Sequence, residues 1–257
     1  MPITRFGLLP EEVELVRFEA RLDDLEDELI ERELECATLR RELHVFQANY
    51  LVVVGRRIAE LDRIEAEIAV IIARDDPSPR AQREMREALA RAQQSLDALG
   101  VDPSYLAGLD ELEVVISADL RKLFRRVAKA MHPDLAADEA ERRLRERFMA
   151  KANRAYERGD LDGLQALLDE WNALPEMVIG VDIGAALVRV IRGIAAVQRR
   201  LAELADEIAV LSAEDLFALF EQARRAREEG RDLLHEMADE LDLRTAVALD
   251  RLAGLEL

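Results

Sequence analysis

An apolar seam with alternating spacings of three and four residues runs from Leu15 to Ile71, and any fold of this chain has to cover it. Leu15, Phe18, Leu22, Leu25 and Leu29 open the seam. Arg32 interrupts it, and Cys36, Leu39, Leu43, Phe46, Tyr50 and Val53 carry it on. Near Gly55 it shifts by about one position and resumes at Leu61, Ile64, Ile68 and Ile71, a break of the kind that changes supercoiling locally. Asp75, Asp76, Pro77 and Pro79 end the run. About sixty helical residues, at about 1.5 Å each, make a rod of roughly 90 Å. Such a rod has no interior, so a second helix must cover the seam, either from this chain or from another copy. The stretch Tyr50 to Gly55, YLVVVG, is more apolar than one seam needs and predicts burial under a third helix.

Further helices follow. Pro79 to Leu99 carries Met85, Leu89, Ala92, Leu96 and Leu99 on one face, and Gly100 is a natural stop. The short Asp-Asp-Pro-Ser-Pro link predicts a hairpin with the long helix. Asp102 and Pro103 restart the chain, and Tyr105 to Val115 is expected to cover the unit that follows. Beyond Tyr156, Gly159 breaks a helix, Asp160 caps the next, and Leu161, Leu164, Leu167, Leu168 and Trp171 form its face. Asn172 to Pro175 is a boundary. Leu187, Val190, Ile191, Ile194, Val197, Leu201, Leu204, Ile208 and Leu211 then form another long stripe. Ser212 with Asp215 predicts a cap for a last helix from Leu216 to Leu252, with a bend at Gly230.

The expected architecture is all-α: a long antiparallel coiled coil or helical bundle made from both ends of the chain, with a helical unit inserted between them. The segments are 1–75, the N-terminal helix; 76–116, connecting helices; 117–172, the inserted unit; and 173–257, a C-terminal hairpin. Composition agrees: 50% hydrophobic and 35% charged residues with only 4% aromatic favour long helices over a compact β core. The net charge of −18 argues against a general binder of nucleic acid or anionic membrane. The most apolar stretch, Met177 to Val197, is broken by Asp182, Arg189 and Arg192, so no membrane span is expected. Met1 to Pro10 gives no secretory signal, and the single cysteine, Cys36, suits a reducing, cytoplasmic setting.

Against this acidic background the inserted unit opens with a local reversal of sign. Leu120, Leu123, Phe124, Val127, Ala128 and Met131 share one helical face, and Ser117 is placed to cap it. Arg121, Lys122, Arg125, Arg126 and Lys129 form a basic stripe on the other side. Pro133 ends the helix and pushes His132 out of the α region. Asp138 with Glu141 reads as a capping box that starts the next helix. His132, Pro133 and Asp134 therefore sit in a tight connection between two helices.

The run LRKLFRRVAKAMHPD, Leu120 to Asp134, followed by MAKANRAY, Met149 to Tyr156, resembles the J-domain of DnaJ-type co-chaperones. The likeness covers roughly a quarter of the chain. The family's short first helix has only an echo here, at Leu96, Leu99, Gly100 and Val101, too far upstream; Tyr105, Leu106 and Leu109 come nearer without matching, and the segment between Asp134 and Tyr156 runs about a helical turn longer than usual. The resemblance implies docking onto a DnaK-type chaperone and stimulation of its ATP hydrolysis, with His132, Pro133 and Asp134 as the trigger. Arg121, Lys122, Arg125, Arg126 and Lys129 would form the steering surface. A basic helical face speeds association with an acidic partner and weakens with salt, which suits that role.

Two functions are therefore in view. In the first, the chain is an adaptor co-chaperone whose coiled-coil helices select a client or place, alone or as a homodimer. In the second, it is a coiled-coil scaffold whose J-like unit engages no chaperone. No enzyme is expected, since the sequence offers no Gly-rich phosphate loop, no nucleophile–base set and no metal-ligand spacing; no cofactor is implied. His44 and His235 lack ligand-spaced partners and read as ordinary helix residues.

Overall fold

The computed structural model describes residues 10–100, 117–136, 139–172 and 183–255, and every regular element among them is helical. The elements are α1 (Pro10–Tyr50), a π-helical turn (Leu51–Gly55), α2 (Arg56–Asp75), α3 (Pro79–Ala98) and α4 (Ala118–Met131). A single 3-10 turn (Pro133–Leu135) leads to α5 (Glu139–Arg158), α6 (Leu161–Asn172), α7 (Ile183–Ser212), α8 (Asp215–Glu228) and α9 (Leu233–Leu255). The backbone stays right-handed helical from α1 through the π turn into α2. The π turn lies where the seam slips. A π turn holds an extra residue relative to an α turn, so it absorbs the slip without ending the helix.

Local chemistry sets the other boundaries. The Ser78 hydroxyl accepts from Ala81 N–H at the start of α3, with Pro79 in the first turn. Ser117 does the same for Leu120 at α4. Asp160 accepts from Gly163 N–H at 2.8 Å and starts α6. Gly159, between α5 and α6, has φ +71°, a conformation that L side chains resist. Ser212, expected to cap α8, instead donates to the Ile208 carbonyl inside α7, and Glu214 precedes α8 without a side-chain cap. Gly230 does more than bend a helix. At φ +76° it separates α8 from α9, because the left-handed conformation cannot propagate an α-helix. Asp138 and the stretch Tyr105 to Val115 lie outside the described residues.

The chain forms two compact units, each built from two stretches: 1–42 with 115–213, and 43–114 with 214–257. They cut across the segments drawn from sequence, because the long N-terminal helix serves both. In the first unit Leu29 and Cys36 of α1 are buried with Val197 and Leu204 of α7, and Leu22, Leu25, Leu201, Ile208 and Leu211 pack around them. This pairing is parallel, not antiparallel as expected: Leu22 lies against Gly193, Glu33 against Arg200 and Arg40 against Glu207. A three–four seam repeats alike in either direction, so periodicity carries no information on sense. Helices α4, α5 and α6 pack on one another in the same unit, with Phe124 against Tyr156 at 4.6 Å and Phe148 against Trp171 at 5.3 Å between ring centres.

In the second unit α2 and α3 form the expected antiparallel hairpin, with Ser95 bonded to Asp62 and the Gly55 backbone close to Leu99. Helix α9 packs along α2 through Leu61, Ile64, Ile68 and Ala248, and Arg57 pairs with Asp242 at 2.9 Å. No helix among the described residues is long and apolar enough to cross a membrane.

Candidate functional site

Helix α4 buries the whole predicted apolar face: Leu120, Leu123, Phe124, Val127, Ala128 and Met131. Burying one face turns the basic stripe outward. Arg121, Lys122 and Arg126 are exposed and make no ion pair with another described residue. The other two cations are engaged. Arg125 donates to Glu31 at 2.6 Å and Lys129 to Asp27 at 2.8 Å, both acids on α1. Each pair is exposed, and each lifts the pKa of its cation above the ordinary value, chiefly through that hydrogen bond.

Pro133 closes α4, and the chain makes one 3-10 turn, in which Leu135 N–H donates to the His132 carbonyl. His132 has extended backbone and sits inward, only 1% exposed. The Asp134 N–H donates to its Nδ1 at 3.2 Å, which leaves the proton on Nε2, the nitrogen 3.2 Å from Glu33 Oε1. Glu33, on α1, is 5% exposed and also accepts from Arg200 Nε of α7 at 2.9 Å. Burial pushes the Glu33 pKa up. The hydrogen bonds from His132 and Arg200 and the charge of Arg200 outweigh burial and hold it below the ordinary glutamate value. Arg200 also donates to Glu207, which accepts from Arg40. Leu135 packs on the α1–α7 seam. The corner is thus embraced by α1 and α7.

Asp134 is the acid of the tripeptide, and it is largely buried. Its side chain is 11% exposed, and burial raises its pKa against the pull of His132, Arg142 and Arg200. It lines a cleft of about 270 Å³ with Pro133, Arg142, Arg189 and Arg192. Pro133, also half-buried, faces the same cleft.

Residues that sequence reasoning missed hold this geometry. Arg145 of α5 donates to the carbonyls of Ala130 and His132 at 3.2 and 3.3 Å, the first an orphan acceptor where α4 ends and the second one that also accepts from Leu135 N–H. It pairs with Glu141 and lies over the Trp171 ring at 5.2 Å. Arg41 of α1 donates to the carbonyls of Tyr156 and Glu157, near the end of α5, and Thr38 bonds the Tyr156 hydroxyl at 2.8 Å. Asp27, Glu31, Leu34, Thr38 and Arg41 recur at spacings of four and three, a second face of α1 made mostly of polar residues. In a helix so rich in Glu and Arg, that face has no apolar contrast to betray it. Among the described residues no cluster of His, Cys, Asp and Glu is grouped to hold a metal ion.

Comparison with known protein families, with curated proteins and with solved structures finds no match to this chain.

Proposed function

We propose that the chain is a co-chaperone adaptor that recruits a DnaK-type chaperone through its His132-Pro133-Asp134 corner and stimulates its ATP hydrolysis. One observation carries this reading: the tripeptide forms the turn between two helices that pack together, and the first of them presents Arg121, Lys122 and Arg126 to solvent in a chain of net charge −18. A local cationic face on an acidic protein steers acidic partners toward it. The corner residues then act by binding the hydrolysis-competent state of the partner better than its resting state. The long helices choose the client or the place of action, in a cytoplasmic setting.

A second reading has its own support. His132 is buried on Glu33, and two of the five cations are already paired. A scaffold that uses the tripeptide only to lock three elements together needs nothing more.

Single-turnover ATP hydrolysis by a DnaK-type chaperone, with and without the chain, separates the two. Stimulation that falls with salt and disappears in His132→Gln is expected. Absence of stimulation in the parent and in every variant that frees the corner would establish the scaffold.

A further inference from the structure

We propose that α1 is an internal stand-in for the acidic partner, and that its Asp27, Glu31 and Glu33 hold the His132-Pro133-Asp134 corner closed until a chaperone displaces them. This rests on the co-chaperone reading of the corner and adds its regulation. The three acids lie within two turns of one helix, and each meets a different member of the docking surface: Asp27 meets Lys129, Glu31 meets Arg125 and Glu33 meets His132. These are carboxylates set against the very groups that a partner's carboxylates would seek.

The contacts are graded in a way that suits release. The outer two pairs stand in water, where one carboxylate replaces another at almost no cost. Arg121, Lys122 and Arg126 remain uncovered, so an acidic partner has a foothold before any internal pair breaks. The inner contact is a single hydrogen bond from His132 to Glu33. When the corner leaves, Glu33 keeps Arg200, and Arg200 keeps Glu207, so opening orphans no buried charge. Arg41 and Thr38 hold the far end of α5 at Tyr156, which makes that end the pivot and the corner the moving end.

The test uses the full chain with a DnaK-type chaperone as probe. Asp27→Lys with Glu31→Lys repels Arg125 and Lys129, and both positions are exposed, so folding is not at risk. Glu33→Gln weakens the inner contact separately. The control is Asp24→Lys with Glu28→Lys, the same charge change on exposed positions of α1 that hold no cation of α4. Amide exchange at Asp134 and Leu135 reports opening, and single-turnover hydrolysis reports engagement. The expected result is faster exchange and roughly a tenfold lower half-maximal concentration in both test variants, with the control unchanged. A parent as potent as the opened variants overturns the latch and leaves the co-chaperone reading standing. Unchanged exchange in both variants also overturns it, since α1 is then not what holds the corner. Faster exchange with no stimulation by any form overturns the co-chaperone reading, and autoinhibition falls with it.

Discussion

Glu33 carries more of the first unit than its place in a Glu-rich helix suggests. It is buried, it receives His132 and Arg200 from two other elements, and its pKa lies below the ordinary glutamate value. A carboxyl whose folded pKa is depressed stabilises the fold above its unfolded pKa, and that contribution is lost as pH falls through the folded value. The denaturation midpoint of the parent should therefore exceed that of Glu33→Gln at pH 7, and the gap should close as pH falls from the ordinary glutamate range through the lowered folded value, since a protonated glutamic acid resembles glutamine. A gap that stays constant with pH would show that packing, not charge, is what the side chain supplies. Cys36 gives a second check at this scale. Burial pushes its thiol up to about 11 against the pull of Arg40, so the reactive thiolate is scarce. Iodoacetamide should leave it intact in the folded chain and label it in denaturant.

At the scale of elements, connections are set by side chains that arrive from elsewhere in the chain. Gly159 and Gly230 share a left-handed backbone, but only Gly159 faces a neighbour: a Cβ there would lie 2.6 Å from Arg41 Nη2, and at Gly230 nothing lies within 4 Å. Gly230→Ala should cost about 1–2 kcal/mol, the price of the conformation alone. Gly159→Ala should cost more, because Arg41 must also give up the carbonyls of Tyr156 and Glu157. Denaturant midpoints of the two variants measure the difference, and equal midpoints would remove Arg41 from the account. Arg145→Ala should free the end of α4, seen as faster amide exchange at His132, Asp134 and Leu135 with the rest of α4 still protected.

At the scale of the whole molecule, each unit draws on two distant stretches of chain. A stretch without its complement exposes a finished apolar stripe. Residues 115–213 alone leave Val197 and Leu204 without Leu29 and Cys36, so this fragment should be less helical than in the full chain. Adding a peptide of residues 1–42 should restore ellipticity at 222 nm, and no gain on mixing would mean that α7 finds its cover without α1.

The chain's own pattern determined that it is helical throughout its described residues, that α2 and α3 form a hairpin, that Ser117 caps α4 and that the face from Leu120 to Met131 is core. Those features depend on neighbours three or four positions away, and such neighbours are written next to one another in the chain. The sense of the α1–α7 pairing was not written there, because a seam of period 3.5 is the same in both directions. Nor was the fate of the basic stripe: Arg125 and Lys129 meet acids about a hundred residues earlier, and Glu33 meets His132 across ninety-nine positions. On an amphipathic helix every outward Glu looks alike, since solvent and a buried partner ask for the same side chain. Only the packing of α4 and α5 against α1 decided which acids are solvated, which one is buried, and that the corner faces inward.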